Sequence, residues 1–170
     1  MKKALAVILS IFFFAILNTF EGFTIYAANE SGLSQNCGIY GQTDMFTKEQ
    51  IQEMNAVVLR SSKEINLNIV FYLTDKDLTG REAGSIYYET VGATEGLIYL
   101  MDVSENRQMG DSMVFYGRAE TYYNGQFEMF SSELLEILPN DQYTSDSKYL
   151  SAIGEICVLL EDYARFPKFH

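Results

Sequence analysis

Two short runs rich in β-branched and aromatic residues, Leu67–Leu73 (LNIVFYL) and Leu97–Val103 (LIYLMDV), constrain this chain most. Continuous apolar runs of this length read as strands buried on both faces, as in a sheet covered by helices. Between them, Arg81 to Thr90 reads as a short helix with Ala83, Ile86 and Tyr87 inward. Two strands joined through a helix are expected to run parallel, with a right-handed crossover.

The flanking segments extend the same pattern. Thr47-Lys48-Glu49-Gln50 forms a capping box, in which the threonine oxygen caps the first turn and Gln50 reaches back. Ile51, Met54, Val58 and Ile65 then recur at helical spacing, with Lys48, Glu49, Gln52, Glu53, Arg60, Lys63 and Glu64 on the solvated side. Ser112–Tyr116 (SMVFY) follows the second strand across the polar turn Ser104–Asp111, so the two are expected to pair as an antiparallel hairpin. The last third is helical. Phe127, Phe130, Leu134, Leu135 and Leu138 share one face, stopped by Pro139-Asn140. Tyr149, Ile153, Ile156, Cys157, Leu160 and Ala164 share another, stopped before Pro167. The order helix, strand, helix, strand, strand, helix, helix predicts a three-layer α/β/α sandwich around a small mixed sheet.

The amino terminus reads as an export signal. Met1-Lys2-Lys3 precedes an apolar run from Ala4 to Leu17, and small residues Ala27-Ala28 close a more polar stretch. An uncleaved anchor is the alternative, but a span needs about 20 mainly apolar residues, and Asn18, Thr19 and Glu21 interrupt this one. The expected organisation is a signal peptide at residues 1–27, a flexible leader at 28–37 and one domain at 38–166. An exported location makes Cys37 and Cys157 a candidate disulfide, with a buried free thiol at Cys157 as the alternative. The formal charge of −11 repels phosphate backbones and anionic headgroups, so nucleic acid is not an expected partner. The same acidity suits divalent cations or basic partners, or simply keeps an exported protein dissolved.

The exclusions in the chemistry are sharp. The one histidine is His170, the final residue, which removes Ser-His-Asp and Cys-His catalysis and a histidine-type zinc site. No glycine-rich phosphate loop occurs, and no nucleotide, haem or zinc cofactor is expected. Carboxylates remain. In an open α/β sheet, ligands bind outside the carboxyl ends of the strands, where Asp75, Asp77 and Asp102 lie, with Glu95 ahead of the second strand. Oxygen ligands there would suit Ca²⁺ or Mg²⁺; the alternative is that Asp75 and Asp77 form turns and caps. Tyr122-Tyr123, followed by Asn124-Gly125 in an expected loop, is the candidate exposed contact cluster for a partner.

Asp44–Gln50 opening the first helix, Leu67–Leu73, paired Tyr87-Tyr88, Glu95-Gly96 leading into Leu97–Asp102, and Arg107 before a strand ending at Gly117 together give a familiar order. Over about Gly38 to Phe166 it resembles the TPM domain, an extracytoplasmic α/β/α module of bacterial envelope proteins and thylakoid-lumen photosystem-repair proteins. The resemblance implies a helix-flanked sheet and a role in the cell envelope. Some members bind divalent metal or act as acid phosphatases. It sets two readings side by side: an accessory binding module assisted by Ca²⁺ or Mg²⁺, with an unknown envelope or extracellular protein as partner, or a metal-dependent phosphatase. In the second, Asp75, Asp77, Glu95 and Asp102 would hold the ion and Arg107 the phosphate, with Asp102 and Arg107 as its catalytic pair. The chain departs from the family in a shorter loop before Glu95 and in lacking the membrane span and Gly/Ser-rich tail of many bacterial members. If the signal is cleaved as read, the intact mass of protein recovered outside the cell will correspond to a chain starting at Ala28 or Asn29; a chain retaining Met1-Lys2-Lys3 in the membrane fraction would establish the anchor instead.

Overall fold

The computed structural model describes residues 33–138 and 145–165, and within them one sheet of four strands carries helices on both faces. The strands are β1 (Gly38–Gly41), β2 (Asn68–Thr74), β3 (Gly96–Asp102) and β4 (Ser112–Tyr116), in the order β1-β2-β3-β4. The first three run parallel, and β4 returns antiparallel to β3 with Ile98 opposite Val114. The helices are α1 (Lys48–Ile65), α2 (Gly80–Val91), α3 (Arg118–Tyr123), α4 (Phe127–Ile137) and α5 (Asp146–Arg165). The α/β architecture and mixed sheet expected from the strand pattern are therefore present. No helix among the described residues is long and apolar enough to cross a membrane.

Alternation along the strands sorts the core into two layers. Ile69, Phe71, Leu73, Leu97, Tyr99 and Met101 face the side covered by α1, α4 and α5. Val70, Ile98 and Leu100 face α2, where they meet Ala83, Tyr87 and Val91. Each large apolar side chain buried in this way contributes about 1.5–3 kcal/mol relative to exposure. On the thicker side an aromatic chain ties helices to sheet: Phe115 stacks on Tyr123 at 5.1 Å, Tyr123 meets Phe130 at 5.5 Å, and Phe130 meets Tyr163 edge-on at 5.1 Å. The Thr47–Gln50 capping box forms as read, worth about 1 kcal/mol.

The helices α1 and α2 lie on opposite faces, although β1, β2 and β3 progress in one direction across the sheet. The two crossovers are consequently of opposite hand. One of them has the rare left-handed form, so the right-handed rule does not extend to the whole sheet.

Three further differences from the expected organisation have local causes. β1 is an additional strand: two of its four residues are glycine, which hides a strand in the sequence, and it is held by pairing Ile39 with Phe71. The described end of the leader, Leu33 to Cys37, is not loose. Leu33, Ser34 and Cys37 are buried, and the Ser34 N–H donates to Asn68 Oδ1 at 2.6 Å. Tyr122 and Tyr123, expected in a loop, lie in α3 instead. The expected signal at residues 1–27, the start of the leader, the Pro139-Asn140 and Pro167 stops, and His170 lie outside the described residues.

The expected disulfide is not made in this structure, where Cys37 and Cys157 are both buried free thiols. The Cys37 thiol donates to Ser34 O and Asn68 Oδ1 at the amino end of the sheet. Cys157 lies on α5 against Ser61 of α1, and burial pushes its thiol up to about 12. Burial likewise raises the Cys37 thiol, although Ser62 and the Ile69 N–H pull it back. Neither sulfur is a competent nucleophile near neutral pH, since the thiolate is the reactive species. Non-reduced folded protein will therefore show negligible reaction with a thiol reagent such as dithionitrobenzoate at pH 8, and in guanidinium both cysteines will titrate. No thiol released on unfolding would mean that the pair is bonded.

Candidate functional site

The groups expected to carry chemistry are divided between the two ends of the sheet. Because β2 and β3 are parallel and in register, Thr74 pairs with Asp102 at the carboxyl end and Asn68 with Gly96 at the amino end. Glu95 precedes Gly96, which itself stands about 20 Å from Asp102, the rise of six strand residues. Its carboxylate receives the Arg118 backbone N–H at 2.8 Å and the guanidinium at 3.2 Å, which together hold it below the usual carboxylate range. Its carbonyl accepts from Asn68 Nδ2 and the Tyr87 hydroxyl, both at 2.8 Å. Gly96 is required there: at φ +144 an added Cβ would lie 2.0 Å from Asn68 O. Glu95-Gly96 is thus a close-packed junction at the amino end.

At the carboxyl end, Asp77 and Asp102 line one small cleft of about 50 Å³ together with Thr74, Lys76, Met109 and Gly110. Asp75 does not line it, and both Asp75 and Asp77 are exposed. Thr74 Oγ1 accepts from the Lys76 N–H at 3.0 Å, so the segment is a local turn. Asp102 is 1% exposed, and its carboxylate is already engaged by backbone. Oδ1 accepts from Ser104 N at 2.8 Å, and Oδ2 from Met109 N and Gly110 N, both at 2.9 Å. A hard cation needs six or more oxygens converging on it. Among the described residues no group of three or more His, Cys, Asp or Glu side chains is gathered for a metal. Asp75, Asp77, Glu95 and Asp102 therefore do not fit a common Ca²⁺ or Mg²⁺ ion.

Arg107 sits in a different role from the phosphate contact that the resemblance implies. Its side chain is 0% exposed and pairs with Asp111 Oδ1 at 2.8 Å. Nη1 donates to the Asp102 carbonyl at 2.8 Å, and the guanidinium lies 5.7 Å from the centre of the Tyr149 ring. Asp111 also accepts from the Tyr99 hydroxyl at 2.6 Å and from the Asp102 N–H at 2.8 Å. The Tyr149 hydroxyl donates to Asp102 O at 3.0 Å, bringing α5 into the cluster. Burial pushes the Asp111 carboxyl up, while Arg107, Tyr99 and the Asp102 N–H draw it back. Burial disfavours the Arg107 cation, but Asp111 and Tyr149 together offset this and the net shift is upward. Burial raises the Tyr99 hydroxyl well above its ordinary value, so it stays a donor. Arg107 also holds φ +49, one of two positive-φ non-glycine residues among those described, and the ion pair supports that strained turn.

The expected contact pair is separated as well. Neighbours on a helix point about 100° apart; Tyr123 turns inward to 0% exposure, its hydroxyl on Leu160 O at 2.9 Å, while Tyr122 is half-buried. The accessible feature lies on the other side of α4. A groove of about 190 Å³ runs between β4 and α4, with Tyr99, Asp111 and Met113 on the sheet side and Phe127, Leu134 and Leu135 on the helix side. Phe127 is 44% exposed and Leu135 48%, an open apolar lip beside an edge strand. Leu134 and Leu135 were legible as apolar positions, but nothing in the sequence separates a groove-facing leucine from a core-facing one.

Replacing Arg107 by Met leaves Asp111 desolvated without its cation, a change expected to cost about 3–5 kcal/mol at neutral pH by denaturant unfolding. In the variant the Asp111 carboxyl sits still higher in the folded state than in the unfolded chain. The folded state then binds more protons, so stability is present at acid pH and lost as pH rises through the raised folded pKa. The deficit will accordingly shrink as pH falls towards the ordinary aspartate range. A deficit independent of pH would show that Asp111 does not bear the charge. Comparison of the chain with protein-family models gives no match, and none of the curated proteins matches it.

Proposed function

We propose that this chain is an exported, TPM-like domain acting as an accessory binding module of the cell envelope, with the β4–α4 groove as its contact surface. The observation that carries the reading is the pairing of that open apolar groove with an edge strand, Phe127 and Leu135 being nearly half exposed. Large apolar side chains exposed together at a concave surface are a feature of protein contact sites. The export signal supports the location, and the acidic composition agrees with a protein partner better than with nucleic acid. Dependence on Ca²⁺ or Mg²⁺ is left out of this reading, because the four carboxylates do not gather.

The metal-dependent acid phosphatase is the weaker reading. Asp102 spends its carboxylate on three backbone N–H groups, and Arg107 is sealed from solvent against Asp111. A substrate phosphate would have to displace both from partners that hold the loop.

The test uses the mature protein immobilised against a solubilised envelope extract of its native source, beside the Leu135→Lys variant. Leu135 is on the open lip, so the variant is expected to keep its fold. Partner retention is expected to fall at least about tenfold, the equivalent of 1.4 kcal/mol. Equal retention by both proteins would sink the groove as the contact surface. Hydrolysis of a generic phosphomonoester by the mature protein, abolished by Asp102→Asn, would restore the phosphatase.

A further inference from the structure

We infer that the occupant of this groove is an extended polypeptide segment of apolar and basic residues, which adds to the sheet as a fifth strand beside β4. The inference rests on the binding reading above and adds the chemistry of the partner.

The extended form follows from the edge. β4 is last in the strand order, and among the described residues no strand pairs with its outer side. An edge strand presents a row of backbone N–H and C=O groups that another chain can pair with. Its length of five residues offers about 17 Å of ladder. Residues alternate across the sheet, so every second side chain of an added strand would point to the α4 face. That is the face on which Met113, Phe127, Leu134 and Leu135 line the groove. The remaining side chains would emerge beside Val114 and Tyr116, which are half-buried.

The basic character follows from charge. From Arg118 to Leu138 the chain holds one basic residue and four acidic ones, Glu120, Glu128, Glu133 and Glu136. The one cation, Arg118, is already turned to Glu95. Glu128 is exposed, next in sequence to Phe127 and seven residues before Leu135, so it stands on the rim of the groove. Arg107, on the sheet side, is buried against Asp111 and gives the surface no positive charge. A second copy of this chain is disfavoured as the occupant, because pairing two β4 edges would bring together molecules of charge −11 each.

The test is fluorescence polarisation with the folded mature protein and a labelled synthetic peptide of about eight residues alternating Lys with Val or Leu, enough to match the strand. Saturable binding is expected, weakening as salt rises. Leu135→Lys and Glu128→Lys should each weaken it at least about fivefold, with circular dichroism confirming that both variants keep the fold. The same peptide N-methylated at alternate residues should lose binding, because it cannot form the ladder. Equal binding of a peptide with Glu in place of Lys would overturn the basic partner, and equal binding of the N-methylated peptide would overturn strand addition. Dimers in sedimentation equilibrium that Leu135→Lys disperses would overturn the occupant in favour of a second copy. All three of these outcomes leave the groove itself as a contact surface. No peptide binding, combined with envelope capture that Leu135→Lys does not affect, would overturn both the inference and the reading beneath it.

Discussion

A guanidinium shut away from water has to be held by charge and hydrogen bonds, and the arrangement around Arg107 fixes much of what surrounds it. The ion pair with Asp111 joins the loop after β3 to the residue just before β4. The donation to Asp102 O anchors the same group to the end of β3, and Tyr149 brings α5 over it. Nη2 is directed at the Leu138 carbonyl, 3.5 Å away, where α4 ends. Removing one partner of such a buried set exposes the other to the full cost of an unpaired charge in a low-dielectric interior, so the cluster stands or falls together.

The same cluster bears on function through position. Asp111 and Leu138 touch Arg107 and also line the β4–α4 groove. The groove is therefore set between two walls tied to one buried cation, a rigid frame for a contact surface. The carboxyl-end cleft contrasts with it. There the one buried carboxylate, Asp102, spends its lone pairs on Ser104, Met109 and Gly110, organising a loop. Polar groups consumed in shaping the chain are not available for a ligand, whereas the apolar lip of Phe127 and Leu135 has surface to offer.

Much of the fold was legible in the sequence because the signals were local. The Thr47–Gln50 box, the two apolar runs and the hairpin each occupy a few consecutive residues, and all appear where they were read. Thr79-Gly80-Arg81-Glu82 was an equally readable capping box just before the second helix. β1 was hidden by its glycines, and α3 by the Asn124-Gly125 pair that follows it. The proposed four-carboxylate site failed for a geometric reason: a residue preceding a strand in a parallel sheet lies at the amino end, so Glu95 could not join Asp102. The Arg107–Asp111 pair had a spacing of four, yet nothing local says that a charged loop will be buried. Burial is a property of the assembled layers, and so is the groove.

Amide hydrogen exchange on the mature protein, with and without a saturating Lys/Val-alternating peptide, tests the central claim most directly. Exchange reports backbone hydrogen bonding segment by segment. Slowing confined to Ser112–Tyr116 and the facing residues Phe127–Leu138, with the Thr74–Leu78 turn unchanged, is the result expected of strand addition at the groove. Protection concentrated at Thr74–Leu78 and Asp102–Gly110, with β4 unaffected, would contradict it and return the site to the carboxyl end of the sheet.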